Sequence, residues 1–192
     1  MSASPGNQFA SSLRLFVDIA MLRRGPEDLP VSTSLLVTTV LAAVLLSLGL
    51  SSLMPQGSTP VAGPLLTDTV LTLLSLALLL HIARKPERFL QTATAMFGFH
   101  LLLAPLLILL EALIEKYAEV PSWQLLLMLV FIALGGWTLV VSARILHSAT
   151  GWPVFMCVAM VLLQELAILG VVIALFPDVI AGSGSVPATP VA

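Results

Sequence analysis

The chain has 192 residues, of which 58% are hydrophobic and only 9% are charged. A soluble domain carries about 25% charged residues, and one core of this size could not bury so much apolar surface, so lipid must be the main solvent. The net charge of −2 and the scattered basic residues exclude a nucleic-acid-binding surface. Cys157 is the single cysteine and lies in an apolar stretch. The sequence therefore predicts no internal disulfide, no metal site and no cofactor.

The first 30 residues predict a short cytoplasmic lead with an amphipathic helix at 9–24. Apolar side chains recur there at helical spacing: Phe9, Leu13, Phe16 and Ala20. Gly25 and Pro26 are expected to end this helix. Two hypotheses follow for its role. It lies on the cytoplasmic leaflet, anchored by Arg23 and Arg24, or it docks a soluble protein partner.

Residues 31–177 predict an all-α integral membrane domain with five transmembrane helices. The predicted spans lie at about 34–54, 65–83, 89–113, 123–145 and 152–176. Each has roughly the 20 residues that a helix needs to cross a hydrocarbon core of about 30 Å. Ser32 and Ser34 are candidate N-caps of the first span. Residues 178–192, rich in Gly, Ser and Pro, predict a flexible external tail.

The distribution of basic residues predicts the orientation of the five spans. Seven of the eight Lys and Arg residues fall on one side of the ladder, and Lys116 alone falls on the other. The seven are Arg14, Arg23, Arg24, Arg84, Lys85, Arg88 and Arg144. Cytoplasmic segments carry the excess of positive charge, so we expect a cytoplasmic N-terminus and an external C-terminus.

Two ionisable residues are predicted deep inside the bilayer. Glu165 lies about 18 Å into the fifth span and His100 about 16 Å into the third, both from the cytoplasmic side. Such residues are costly in lipid and commonly mark function. Three interpretations of the pair stay open: a structural clasp between helices, a site for handling protons or ions, or two residues satisfied separately.

Other intramembrane features suggest shape and packing. Pro105 should bend the third span and is a candidate hinge. Thr94 with Gly98 in the third span, and Gly135 with Gly136 in the fourth, predict close helix contacts. No Ser/His, paired-Asp or His-Glu-x-x-His arrangement appears on neighbouring turns, so no catalytic residues are predicted.

The arrangement resembles the Yip (Ypt-interacting protein) domain family in its short bacterial form. Three segments carry the resemblance: a lead with Phe16-Val17-Asp18-Ile19 and Arg23-Arg24-Gly25-Pro26, a third span running from Thr94 to Pro105, and a fifth span with Gln164-Glu165. The resemblance implies a five-helix membrane protein without known catalysis. Eukaryotic members are associated with Rab-type GTPases, but this lead is too short for a long GTPase-binding segment, so Rab binding is not expected.

Together these features predict a non-enzymatic scaffold or interaction protein, multi-pass in a bacterial inner membrane. The lipid bilayer is its expected surrounding, with protein partners reached through helix faces or the N-terminal helix. A homo-oligomer is left open. The alternative function is a small transporter or channel subunit that uses His100 and Glu165 for proton or ion handling. An intramembrane enzyme is a third hypothesis, which no arrangement in the sequence favours.

Overall fold

The computed structural model describes residues 14–52 and 62–177, and the regular structure within those ranges is entirely helical. Its five long helices are α1 Thr33–Ser51, α2 Ala62–Ile82, α3 Phe89–Lys116, α4 Pro121–Thr150 and α5 Val154–Leu175. All five are long and apolar enough to cross a membrane. The prediction of an all-α architecture with five helices long and apolar enough to span a membrane is therefore confirmed for the described residues.

Local sequence signals explain where the helices begin and end. The Ser32 hydroxyl accepts a hydrogen bond from the Leu35 N–H at 3.3 Å, so the predicted N-cap of α1 is present. α4 runs to Thr150, beyond the predicted end of the fourth span at 145. It ends where Gly151 takes up a left-handed φ of 78° and its N–H bonds to the His147 carbonyl at 2.7 Å. Arg144 thus lies inside α4, and Gly151 ends the helix.

α3 is the central helix of the bundle. All eight residues from Thr92 to Phe99 are buried. α3 packs most extensively on α1 and also on α4, while α5 packs on α4 and α2. α3 and α5 are not among the extensively packed pairs. This neighbour order determines which intramembrane side chains can meet.

The hydroxyl groups inside the helices are satisfied by the helices themselves. In each case a threonine hydroxyl donates to the carbonyl one turn earlier, at 2.6–2.9 Å. The donors are Thr39, Thr69, Thr92, Thr94, Thr138 and Thr150. Because these bonds need no neighbour, the hydroxyls are tolerated in lipid without forming a site.

The N-terminal helix, described for residues 14–20, packs into the bundle. Phe16 and Ile19 are buried in one cluster with residues of α3 and α4. The Phe16 ring fills the space beside Gly98, which lies about 14 Å along α3 from Phe89. The apolar side of this helix therefore faces protein, which differs from the predicted helix lying with that side on the leaflet. Residues 9–13 of the predicted helix lie outside the described residues, as do residues 1–8 and the tail 178–192.

This N-terminal helix ends earlier than Gly25 and Pro26 suggested. Helical structure stops at Ala20, and Leu22 adopts a left-handed φ of 59°. The Arg23 N–H bonds to the Asp18 carbonyl and the Leu22 N–H to the Ile19 carbonyl, which together form a Schellman cap. The chain then turns through Pro26–Asp28 and continues into α1.

The first two-thirds of α4, residues 121–140, makes few contacts with the other described residues. Leu127 is its only buried residue. A Cβ added to Gly135 or Gly136 would meet nothing within 4 Å. The predicted close contact at these glycines is therefore absent within the described chain. The contact predicted around Gly98 is present, but its neighbour is the Phe16 ring and not another spanning helix.

Candidate functional site

Glu165 is exposed on α5, near the middle of its span. It lies about 16 Å from Val154 and about 15 Å from Leu175 along the helix axis. Among the described residues, no side chain or backbone group bonds to its carboxylate. Glu165 lies four residues after the buried Val161 and three before the buried Ile168, which puts it at the edge of the packed face of α5, where its side chain is exposed. A carboxylate in this place has no partner within the described chain.

Asp68 on α2 is the charged residue close enough to act on Glu165 electrostatically. It is half-buried and lies in the outer part of α2, about 9 Å along the axis from Ala62. α2 and α5 run antiparallel and pack together, with Gly63 against the Phe176 ring. The α2/α5 face, defined here by Asp68 and Glu165, thus carries two carboxyl groups in a lipid-facing region.

A groove of about 220 Å³ lies between α2 and α5. Two polar side chains line it, Ser75 and Gln164, among the leucine, isoleucine, valine and alanine side chains that form the rest. The Ser75 hydroxyl already donates to the Thr72 carbonyl at 3.0 Å. The groove is therefore an apolar feature beside the two carboxyl groups and does not form a continuous polar path.

His100 lies in a different environment from Glu165. Its side chain is half-buried and lies beside two aromatic rings of its own helix, with the ring centroid 6.3 Å from that of Phe97 and 5.9 Å from that of Phe99. No hydrogen bond or ion pair joins His100 to Glu165 among the described residues. Their depths match, but α3 and α5 are not packed neighbours. The charge that acts on Glu165 is therefore that of Asp68 on the packed neighbour α2, and not that of His100.

Pro105 is exposed and lies inside α3, which is helical from Phe89 to Lys116 without interruption. Because proline has no N–H, the carbonyl of Leu101 loses its helical partner. The helix is continuous on both sides of this position. Pro105 stays a candidate hinge, with its weakened turn on the exposed side of α3.

The basic residues gather at one end of the bundle. Side chains from the lead, the α2–α3 connection and the end of α4 meet there, and we call this region the basic end: Arg23, Arg24, Lys85, Arg88 and Arg144. Lys116 lies at the opposite end, over the Tyr117 ring, which stacks on Trp123 at 5.6 Å. The charge separation read from the sequence is thus a property of the folded bundle.

Two side chains, those of Gln91 and Ser148, tie the lead to the helices at the basic end. The Gln91 amide donates to the Leu29 carbonyl at 2.7 Å and to the Glu27 carbonyl at 3.3 Å. Arg88 donates to the Ser148 carbonyl at 2.8 Å, and the Ser148 hydroxyl donates to the Glu27 carboxylate. The Ser148 hydrogen bond, with support from Arg88 and Arg144, lowers the pKa of Glu27. The sequence did not predict these hydrogen bonds, because they join residues up to 121 positions apart and no local sequence pattern indicates them.

A cavity of about 310 Å³ opens between the lead and the end of α4. We call it the basic-end cavity. Its apolar floor is formed by Ile19, Val141 and Ile145, and its charged rim includes Arg23, Arg24 and Arg144. Arg24 is paired with Asp18 at 3.5 Å. The rim also carries Glu27 and Asp28.

Hydrogen bonds stabilise the turn that connects α4 to α5. The His147 Nδ1 lies 2.5 Å from the Trp152 carbonyl oxygen, which fixes its proton on that nitrogen. The Thr150 hydroxyl accepts from the Trp152 N–H at 3.2 Å, and buried Cys157 lies beside both residues. His147 and Cys157 are engaged in local structure here. Within residues 14–52 and 62–177, no group of three or more His, Cys, Asp and Glu residues is placed to bind a metal ion.

The fold defines the class of this protein: it is a helical protein with five helices that are long and apolar enough to cross a membrane. Comparison with protein-family models, curated proteins and solved structures gives no match. The resemblance to the Yip family accordingly stays a prediction from the sequence.

Proposed function

We propose that this protein is a non-enzymatic membrane protein that acts by associating with another membrane protein through its α2/α5 face. The observation that carries the proposal is the exposed carboxylate of Glu165 near the middle of α5. The class of partner that fits is a transmembrane helix with a basic or hydrogen-bond-donating side chain at the same depth.

The energetic argument rests on the cost of a carboxylate in lipid. A charged residue at the centre of a spanning helix costs about 2.5–3.5 kcal/mol on insertion scales. Such residues nearly always face protein or a water-filled cavity. Glu165 is exposed at the edge of the packed face of α5, and the charge that acts on it within the described chain is that of Asp68, which has the same sign. A donor supplied by a second protein would remove both the desolvation and the repulsion.

The N-terminal helix is a less suitable docking element than the sequence suggested. Phe16 and Ile19 are buried against the bundle, so its main apolar side is occupied. Val17 and Met21 are 42% and 57% exposed and form a smaller surface for a cytoplasmic partner. The intramembrane face is for this reason the preferred contact.

The proposal includes the location and orientation inferred from the sequence. Positive charge concentrates on the cytoplasmic side of membrane proteins, and the basic end collects such charge from three separate segments. This supports a multi-pass protein of a bacterial inner membrane, with the N-terminus in the cytoplasm and the C-terminus outside. Membership of the Yip family, short bacterial form, is part of the same proposal and rests on the sequence resemblance alone.

Replacement of Glu165 tests the association. Glu165→Leu should shift the protein from a complex to the single chain in size-exclusion chromatography of gently solubilised native membranes. An interhelical hydrogen bond contributes about 0.6 kcal/mol on average, so we expect affinity to fall about threefold or more. Glu165→Gln should retain part of the affinity, because the amide can still form hydrogen bonds.

Leu163→Ala is the matched control, since Leu163 is 61% exposed and lies two residues away, on the other side of α5. An unchanged complex in Glu165→Leu would refute the proposal. A complex with twice the mass of the chain would identify a second copy as the partner in place of a different protein.

The two carboxyl groups also favour a second candidate function, a subunit that handles protons or ions. Asp68 and Glu165 lie close enough to influence each other, an arrangement found in proton relays. In proteoliposomes, this function predicts a proton or cation flux that Glu165→Gln abolishes. A flux that persists in Glu165→Gln, or no flux in the wild type, would exclude it.

A further inference from the structure

We propose that the basic-end cavity binds the phosphate group of an anionic phospholipid. The cavity carries guanidinium groups on its rim, and it opens at the basic end of the bundle, at the end of the apolar helix α4. This inference is independent of the α2/α5 face and of the proposed function.

Two arginines of the rim are available for a ligand. Arg23 and Arg144 are exposed, and neither forms an ion pair within 4 Å among the described residues. They come from segments 121 residues apart and converge only through the fold. A general excess of positive charge requires no such convergence. A guanidinium is suited to phosphate because its N–H groups match two phosphate oxygens at once.

Two other charged side chains of the rim already have partners within the chain. Arg24 pairs with Asp18, and the Glu27 carboxylate accepts the Ser148 hydrogen bond. Asp28 is the remaining carboxylate of the rim. With Arg24 paired to Asp18 and Glu27 bonded to Ser148, the guanidinium groups of Arg23 and Arg144 are the donors that remain for a phosphate diester.

The place of the cavity favours a lipid over a free phosphate ion. Ile19, Val141 and Ile145 line its floor but are almost completely buried, so the contact with a ligand is mainly polar. The cavity opens at the end of α4, a helix apolar and long enough to cross a membrane, where lipid headgroups lie. Basic pockets between spanning helices are known to hold anionic headgroups.

The experiment measures lipid binding to the full chain in phosphatidylcholine nanodiscs, with a fluorescent phosphatidylglycerol as the probe. Arg23→Gln and Arg144→Gln should each weaken binding about fivefold and the double variant about 25-fold, following from roughly 1 kcal/mol for each arginine. Arg144→Lys should retain most of the binding.

Arg84→Gln is the control, because Arg84 is exposed close to the same end of the bundle but does not line the cavity. Equal losses in Arg84→Gln and Arg144→Gln would overturn the proposal, as would a wild type that does not prefer the anionic lipid. Competition by inorganic phosphate as strong as that by unlabelled lipid would overturn the lipid assignment. Thermal unfolding of each variant checks that the fold is retained.

Discussion

At the scale of single residues, few polar groups lack a local explanation. The threonine hydroxyls bond within their own helices, and His147 bonds to the Trp152 carbonyl. Glu27 is tied to Ser148 across the lead. Against this background Glu165 stands out, because its carboxylate is exposed at mid-span and has no bond to any other described residue. Because the Glu165 carboxylate has no bonding partner among the described residues, we look for that partner on another protein.

Glu27 provides a prediction about acidic pH. Its pKa is lowered from an ordinary value of 4.5, mainly by the Ser148 hydrogen bond. A group with a lowered folded-state pKa stabilises the fold above its unfolded pKa, and this contribution is lost as pH falls through the folded pKa. We therefore expect the melting temperature in detergent to drop below about pH 4.5.

Glu27→Gln should show a smaller drop over the same range, because it has no carboxylate to protonate. Glu87→Gln is a suitable control, since Glu87 is an exposed carboxylate in the α2–α3 connection. Identical pH profiles for wild type and Glu27→Gln would contradict this account of the Ser148 contact.

At the scale of elements, the five spans were predictable and their contacts were not. A run of apolar residues with prolines and caps at its ends is a local signal, so Ser32 and the five spans are confirmed. Apolar residues cover every side of these helices, so periodicity gives no direction for packing. The sequence could thus assign His100 and Glu165 the same depth without revealing that α3 and α5 are not packed neighbours.

Gly98 and Phe16 test the docking of the N-terminal helix. A Cβ at Gly98 would overlap the Phe16 ring, which is itself buried among residues of α3 and α4. Gly98→Ala should destabilise the fold by about 1–3 kcal/mol, as overpacking of a core does. The measurements are the unfolding midpoint in detergent and the rate of proteolysis after Arg23.

Two variants separate this effect from a general glycine effect. Gly135→Ala should leave both readouts unchanged, because nothing lies within 4 Å of its added methyl group. Combining Phe16→Ala with Gly98→Ala should destabilise less than the sum of the single changes, since the clash is then removed. Additive losses would show that the two side chains do not meet.

At the scale of the whole molecule, the fold concentrates the basic side chains at one end of the helix bundle. Segments far apart in sequence bring Arg23, Arg88 and Arg144 to one end, while Lys116 lies at the other. The number of basic residues in each loop predicted the side of the membrane on which that loop lies. It could not predict that several of these residues line one cavity, nor the contact between Glu27 and Ser148. Those depend on how the lead folds back over α3 and α4.

The orientation can be measured directly with cysteine labelling. On a background with Cys157→Ala, Arg84→Cys should react with a membrane-impermeant maleimide only after the membrane is opened, whereas Lys116→Cys should react in intact cells. Both positions are exposed, so access is set by the membrane and not by the fold. The reverse pattern would place the basic end outside and contradict the orientation we propose.

The most direct test of the account is site-specific photo-cross-linking from α5 in native membranes. A photoreactive side chain at Leu169, one turn from Glu165 on the same side, should form an adduct with a second membrane protein, and Glu165→Leu should abolish it. The same group at Leu163, on the other side of α5, should form none. Adducts that are equal from both positions, or that persist without Glu165, would contradict the claim that this carboxylate faces a protein partner.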